Sequence, residues 1–357
     1  MSRFFTSRYK DLDPYTPGEQ PRERKYIKLN TNESPFPPSK SAIARASSEA
    51  ERLMLYPDPN ATELCAMMAE ELGVRADQVV MTNGSDEVLN FAFMAYCDEN
   101  TPAYFADITY GFYKVYANLN RVRYTEIPLD EKFRIRVEDY LGLRGTVFIA
   151  NPNAPTGIAL SLYEIERILA ANPDNVVIID EAYVDFGAES AVSLIDKYDN
   201  LLVTGTFSKS RSMAGARLGF GVGSAELIAD INRLRYSTNP YNINRMTMAA
   251  GIGALSDREY FEKNCRTIIE NRKKCSEELR ALGFTMTDSR ANFIFAKHDG
   301  VDGGELYLKL KERGILVRHF NGERIKQYNR ITVGTAEEMM ILTDNIKKIL
   351  EETNEKR

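Results

Sequence analysis

Histidine and cysteine are scarce in this chain of 357 residues, which contains two of the first and four of the second. With only His298 and His319, neither a histidine-rich zinc site nor a Ser-His-Asp triad is expected, and we predict no metal site. The cysteines form no C-x-x-C pair and are expected to be reduced thiols, at Cys65, Cys97, Cys265 and Cys275. Any chemistry should therefore come from Lys, Asp, Tyr or a bound cofactor.

The chain also lacks an excess of charge and a long hydrophobic run. Its 46 Lys and Arg and 51 Asp and Glu give a formal charge of -5, which is too nearly balanced to drive binding to nucleic acid or anionic lipid. No apolar run approaches the ~18 residues that span a bilayer, and the N-terminus MSRFFTSRYKDLDPY has no apolar core for secretion. We expect a cytoplasmic protein that binds neither nucleic acid nor membrane.

Two periodicities alternate from about Ala61 to about Ile231. Helical segments such as ATELCAMMAEELG and LSLYEIERILAA alternate with short β-branched runs such as QVVMT, TVFIA and NVVIID. This order predicts an α/β fold with a mostly parallel central sheet and helices on both faces. Ligands of such sheets bind beyond the C-terminal ends of the strands.

The last third of the chain has a different pattern. A charged helical stretch from about Asp257 to Leu282 precedes short extended runs at FTMT, NFIFAK, ILVRHF and RITVG, which predicts a smaller α+β domain. The first ~45 residues are rich in proline and polar residues and cannot form a core alone. We predict three parts. Residues 1–45 form a segment that packs on the small domain and lies at the edge of the active site. Residues 46–245 form a large cofactor-binding domain, and residues 246–357 form the small domain.

Polar clusters follow three of the predicted strands. The run TNGSDE, from Thr82 to Glu87, follows QVVM and opens a helix, whose first amides and positive dipole end suit an anion. Taken alone, this run is better explained as a simple N-cap. Asp180 follows VVII, and Tyr183 comes three residues later. Each cluster is a weak signal, and the clusters are interpreted together.

A lysine follows the third strand. Ser208 and Lys209 come after LLVTGTF, and Arg217 lies eight residues further along. A lysine at a strand end usually points to solvent, but desolvation and a neighbouring cation would favour its neutral, nucleophilic amine. An anion cradle, a second cation, a lysine able to form a Schiff base and a carboxylate suited to a ring nitrogen together describe a pyridoxal 5'-phosphate site.

Five motifs carry a resemblance to a known family: TNGSDE, NPNAPTG at 151–157, IIDEAYVDF, TFSKSRSMAGARLGF and RITVGT. They resemble the fold type I pyridoxal-phosphate-dependent aminotransferases, in particular the histidinol-phosphate aminotransferase branch, and the resemblance runs from DPYTPG to VGT. It implies ping-pong transamination of L-histidinol phosphate with 2-oxoglutarate to imidazole-acetol phosphate and L-glutamate, a step of histidine biosynthesis, in a homodimer with shared active sites. A threonine-phosphate decarboxylase-like lyase, an aromatic amino acid aminotransferase and a non-catalytic binding module are the alternatives.

The same resemblance implies roles for individual residues. Lys209 would hold the cofactor and move the proton, Asp180 would pair with the pyridinium nitrogen, and Tyr183 would donate to the phenolic oxygen. The other implied cofactor contacts are Gly84, Ser85, Asp86, Tyr110, Thr206, Ser208 and Arg217, with Tyr56 reaching across from a partner subunit. The implied substrate pocket contains Tyr15, Asn32, Arg318 and Arg330. Tyr110 could instead be a core aromatic, and Asn32 and Arg318 could have capping or surface roles.

Two positions depart from the family pattern. Ala154 stands where an asparagine usually precedes PTG and bonds the phenolic oxygen. Either Tyr183 serves that oxygen alone, or Asn151 or Asn153 is displaced toward it. Ala336 stands where many relatives carry an arginine, which would leave one cation fewer near the pocket.

Overall fold

The computed structural model describes residues 2–10, 12–21 and 23–355. Its strands are β1 Ile27–Leu29, β2 Val79–Thr82, β3 Ala103–Ala106, β4 Tyr124–Ile127, β5 Thr146–Ala150, β6 Val177–Asp180, β7 Leu201–Thr206, β8 Gly219–Gly223, β9 Thr285–Met286, β10 Phe293–Lys297, β11 Ile315–His319 and β12 Asn329–Thr332. Its α-helices are α1 Lys40–Glu49, α2 Thr62–Leu72, α3 Ser85–Tyr96, α4 Phe112–Asn120, α5 Leu162–Ala171, α6 Ala225–Thr238, α7 Arg245–Ser256, α8 Arg258–Ala281, α9 Gly303–Glu312 and α10 Ala336–Asn354.

The larger sheet contains seven strands in the order β2-β8-β7-β6-β5-β3-β4. Its strands pair in parallel from β7 through β6, β5 and β3 to β4, while β8 runs antiparallel to both β2 and β7. The predicted α/β fold with a mostly parallel sheet is confirmed. The C-terminal ends of β5, β6 and β7 lie side by side, which brings the motifs that follow them together.

Both faces of this sheet are buried. In β5, Val147 and Ile149 point into one hydrophobic core, whereas Phe148 and Ala150 point into the core on the opposite face. Side chains alternate across a strand, so an uninterrupted apolar run such as TVFIA is suited to a strand covered on both sides. The helices that the sequence predicted between these strands supply the cover.

The smaller sheet contains five strands in the order β1-β11-β12-β10-β9. Ile294, Ile315 and Ile331 belong to a separate core that also includes Ile268 of α8 and Ile346 of α10. The predicted long helix and the four predicted strands of the last third are all present. The smaller sheet therefore has a core of its own.

The N-terminal segment contributes to both halves of the molecule. β1 pairs in parallel with β11 of the smaller sheet, and Ala42 of α1 is buried in a core of the larger sheet together with Ala250 of α7. The division at residues 45 and 245 remains a prediction. In the described part of the chain, no helix is both long enough and apolar enough to cross a membrane, and the four cysteines are free thiols.

Candidate active site

A cavity of about 380 Å³ opens beyond the C-terminal ends of β5, β6 and β7. Parallel strands bring their carboxyl ends to one edge, and that edge is where this fold class binds ligands. The residues that line the cavity include nine of the predicted site residues, namely Ser85, Asp86, Tyr110, Asp180, Tyr183, Thr206, Ser208, Lys209 and Arg217.

One end of the cavity is suited to an anion. Here α3 begins after Gly84, and no side chain of the described residues caps it. Arg217 lies over this helix start and forms an ion pair with Asp86 at 2.8 Å. Gly84 has φ +85, and a Cβ there would lie 2.9 Å from Arg217 Nη2, so glycine allows the guanidinium to approach. The hydroxyl of Tyr110 donates to the other oxygen of Asp86, at 2.7 Å.

Two hydroxyls complete the anion end. Thr206 Oγ1 donates to Ser208 Oγ at 2.9 Å, and the backbone N–H of Ser208 donates to Thr206 Oγ1 at 3.1 Å. Thr206 is the last residue of β7, and Ser208 lies two residues beyond the end of this strand. A helix start, an arginine and two hydroxyls provide the donors that a phosphate group requires.

The cavity is also lined by a buried carboxylate. Asp180 is 4% exposed, and Tyr113 Oη and Thr204 Oγ1 donate to its two oxygens at 3.1 and 3.2 Å. Burial raises the pKa of Asp180 to about 6, and the hydrogen bond from Tyr113 partly offsets this rise. No cationic side chain of the described residues forms an ion pair with it. A cationic ligand atom would stabilise this carboxylate.

Lys209 also lines the cavity. Its Nζ is 5.8 Å from the centre of the Tyr183 ring and donates to the carbonyl oxygen of Thr31 at 3.4 Å. Among the described residues, no carboxylate forms an ion pair with this amine. An amine in this position can react with a carbonyl group of a bound ligand.

The structure distinguishes between the two explanations for Ala154. Asn151 accepts a hydrogen bond from the backbone N–H of Leu160 at 2.7 Å, and Asn153 accepts one from Thr109 Oγ1 at 2.7 Å. Both asparagines are buried, and their amide groups donate elsewhere, from Asn151 to the carbonyl oxygen of Leu160 and from Asn153 to that of Ile108, whereas Ala154 lines the cavity. Neither Asn151 nor Asn153 lines this cavity.

A second cavity adjoins the first and shares Lys209 and Tyr183 with it. Arg318 and Arg330 are register partners on β11 and β12, and both line this second cavity. Arg330 Nε is buried without a hydrogen-bond partner among the described residues, and burial lowers the pKa of Arg330. Two neighbouring guanidinium groups repel each other, so an anion between them would be stabilised.

The remaining predicted substrate residues also line the second cavity. The ring of Tyr15 stacks on Phe112 with 4.2 Å between centroids. Asn32 Nδ2 donates a hydrogen bond to Tyr183 Oη at 3.0 Å, and Asn32 Oδ1 accepts one from Thr332 Oγ1 at 3.1 Å. The guanidinium of Arg318 donates hydrogen bonds to the backbone carbonyl oxygens of Thr16 and Pro17 in the N-terminal segment.

Gly84 does not itself line either cavity, and two further positions named in the sequence analysis also lie outside them. Tyr56 is 77% exposed, and its ring stacks on Tyr241 with 4.5 Å between centroids. Ala336 is the exposed first residue of α10, where Thr335 caps the helix. An arginine at Ala336 would extend from this helix start.

The sequence reasoning missed the two donors to Asp180. Thr204 lies beside Asp180 in the parallel register of β6 and β7, two residues before Thr206 and therefore on the same face of β7. Tyr113 follows Tyr110 by three residues, about one helical turn. Both periodicities were available in the sequence. Thr31, which accepts from Lys209, carried no comparable signal.

Comparison with known proteins identifies the family. Residues 24–346 match the family described as aminotransferase class I and II. The chain belongs to this family. It is 52% identical to the histidinol-phosphate aminotransferase of Marinomonas sp. (strain MWYL1), over 98% of this chain and 100% of that protein. It is 48% identical to the enzyme of the same name from Brachyspira hyodysenteriae, over 98% and 99% of the two chains.

A solved structure shows the same fold. The histidinol-phosphate aminotransferase of Sinorhizobium meliloti, in complex with pyridoxal-5'-phosphate, superimposes with a TM-score of 0.89 at 22% identity and covers 99% of each chain. At this identity, the similarity establishes the fold alone.

Proposed function

We propose that this aminotransferase transfers the amino group of L-histidinol phosphate to 2-oxoglutarate, with pyridoxal 5'-phosphate as cofactor. The observation that carries the proposal is one cavity lined by a lysine, a buried carboxylate and the donors of an anion site. The relatives with about half of their residues identical bear the name of this activity. The predicted cytoplasmic location is part of this proposal.

The cavity fits the cofactor in charge and in hydrogen-bonding groups. The donors at the start of α3, with Arg217, would hold the phosphate, and Asp180 would face the ring nitrogen. Tyr183 would donate to the phenolic oxygen, and Tyr110 would lie against the ring. When bound, the cofactor supplies an electron sink that stabilises negative charge at the substrate Cα. Asp180 would support this function by keeping the ring nitrogen protonated.

The protein itself would supply binding and proton transfer. Lys209, which lines both cavities, would take a proton from the substrate Cα and return it on the cofactor side. Arg330 and Arg318 would bind the substrate anion, which is a phosphate in L-histidinol phosphate and a carboxylate in 2-oxoglutarate. A guanidinium can give two parallel hydrogen bonds to either group.

An exposed apolar run supports a homodimer. Leu53, Met54, Leu55 and Tyr56 are four consecutive large hydrophobic residues, each more than half exposed, and Tyr241 stacks against the last of them. Continuous exposed apolar surface marks interaction sites. A second copy of the chain would cover this run and place Tyr56 at the partner's phosphate.

Absorbance spectroscopy tests the chemistry. Protein loaded with pyridoxal 5'-phosphate should lose its yellow colour when L-histidinol phosphate is added without an oxo acid, and 2-oxoglutarate should restore the colour. Lys209→Ala should show neither change, whereas Lys132→Ala, an exposed lysine outside the site, should behave as wild type. If the colour persists and threonine phosphate releases carbon dioxide, the protein is a decarboxylase instead.

Subunit mixing tests the shared site. Lys209→Ala and Tyr56→Ala proteins should each be impaired alone, because the first lacks the amine and the second lacks a phosphate contact. A hybrid dimer contains one site with both residues intact. Refolding the two variants together should therefore restore activity, and no restoration would argue against a Tyr56 shared between subunits.

A further inference from the structure

The hydroxyl of Tyr183 is held by a side chain of the N-terminal segment. Asn32 Nδ2 donates to Tyr183 Oη at 3.0 Å, across 151 residues of sequence. A tyrosine hydroxyl has one proton to give and lone pairs to accept with. Because Tyr183 accepts from Asn32, its own proton remains available to a group in the cavity.

The orientation of Asn32 is fixed by Thr332 of β12. The backbone N–H of Asn32 donates to Thr332 Oγ1 at 2.9 Å, and this hydroxyl donates to Asn32 Oδ1 at 3.1 Å. Because the threonine oxygen accepts the backbone N–H, its proton is free for Oδ1, so the NH₂ end faces Tyr183. Asn292 further holds the Asn32 carbonyl oxygen at 3.1 Å. Asn32 is 1% exposed and Thr332 is 2% exposed.

Asparagine also suits the backbone at this position. Asn32 has φ +54, in the left-handed region that Gly, Asn and Asp adopt most readily. The segment therefore turns sharply after β1 and directs the side chain of residue 32 toward Tyr183. Few side chains could combine this turn with a hydrogen-bond donor.

Ala154 makes this contact important. Ala154 lines the cavity and its methyl group cannot donate, and the amide groups of Asn151 and Asn153 already donate to the carbonyl oxygens of Leu160 and Ile108. We infer that Asn32 is a positioning residue: with Thr332 it directs the Tyr183 proton to the phenolic oxygen of the cofactor, and so compensates for the donor absent at Ala154. This inference rests on the proposed function.

The pH titration of the bound cofactor's visible absorbance measures the effect. The titrating proton of the bound cofactor lies beside the phenolic oxygen, and the negative charge of that oxygen stabilises it. A donor that shares this charge weakens the hold and lowers the pH midpoint. Loss of one charge-assisted hydrogen bond should raise the midpoint by about one to two pH units.

Substitution of Asn32 provides the test. Asn32→Asp keeps the size and tolerates the positive φ, but replaces the donor by an acceptor that draws the Tyr183 proton away. Its midpoint should rise as in Tyr183→Phe. Asn32→Gly leaves the hydroxyl free but unoriented, so its midpoint should rise less. Ala154→Asn in the Asn32→Asp background supplies a new donor and should return the midpoint toward the wild-type value.

Controls separate this inference from its alternatives. Asn30→Asp adds the same charge at a neighbouring buried asparagine, whose amide contacts the Glu19 carbonyl oxygen rather than Tyr183, and should leave the midpoint near the wild-type value. Unchanged midpoints in both Asn32 variants, beside a raised midpoint in Tyr183→Phe, would overturn the role of Asn32 alone. Absence of any visible absorbance in the wild-type protein would overturn the proposed function itself.

Discussion

Replacing Asp180 by asparagine should stabilise the cofactor-free protein and at the same time weaken its hold on the cofactor. The carboxylate is 4% exposed, and burial raises its pKa from 3.8 to about 6. A carboxylate with a raised pKa destabilises the fold whenever it is ionised. Asparagine has nearly the same shape and no charge, so it removes this cost.

The size of the effect follows from the shift in pKa. A rise from 3.8 to about 6 corresponds to about 3 kcal/mol, at 1.36 kcal/mol per pH unit. The asparagine NH₂ group must then meet a hydroxyl of Tyr113 or Thr204 that previously donated, which costs about 1 kcal/mol. The net gain is about 2 kcal/mol, on the order of 4 °C in melting temperature.

The gain should depend on pH in a defined direction. Since the folded-state pKa is the higher one, the folded protein binds more protons than the unfolded chain between pH 3.8 and about 6. The cost of Asp180 is absent below this window, grows through it and is complete above it. Asp180→Asn should therefore be about 1 kcal/mol less stable than wild type near the lower limit, where only the hydrogen-bond cost remains, and about 2 kcal/mol more stable at pH 8.

Thermal unfolding of the cofactor-free proteins at several pH values is the assay, followed by the same series with pyridoxal 5'-phosphate added. The cofactor should stabilise wild type more than Asp180→Asn, because the ring nitrogen loses its charged partner. Glu181→Gln is a matched control: burial raises the pKa of Glu181 to about 8, but Glu181 does not line the cavity. A gain in Asp180→Asn that is independent of pH would refute the reasoning.

Two further substitutions test the anion sites. Gly84→Ala should weaken pyridoxal 5'-phosphate binding about tenfold or more in an equilibrium titration, because a Cβ strains the backbone and displaces Arg217. Gly73→Ala is the control, since Gly73 also has a positive φ, of +70, but no neighbour within 4 Å, and this variant should leave binding unchanged. In steady-state kinetics, Arg330→Leu should raise KM for L-histidinol phosphate about a hundredfold, with a smaller change in kcat, because a charged hydrogen bond to the substrate is lost. Substitution of the exposed Arg266 by leucine is the control and should leave KM unchanged. An unchanged KM would remove Arg330 from the substrate site.

The cofactor cavity was largely predictable because its residues follow strands directly. A parallel sheet places the ends of its strands at one edge, so Asp180 and Lys209 had to lie near each other once the strands were recognised. The start of α3 could be located in the same way, from a turn motif after β2. These inferences need only local periodicity and the geometry common to all such sheets.

The partners of these residues were decided by the tertiary structure. Asn32 meets Tyr183 across 151 residues and Thr332 across 300, and no local pattern specifies which side chains meet over such distances. Whether Asn151 and Asn153 could replace the donor missing at Ala154 likewise depended on the hydrogen bonds that their amide groups make, with Leu160 and with Ile108. The sequence by itself determined the fold class and the strand ends at which the reactive groups stand. Packing between distant segments determined which of those groups are oriented, paired or left free, because burial and hydrogen bonding depend on neighbours that the chain brings together only when it folds.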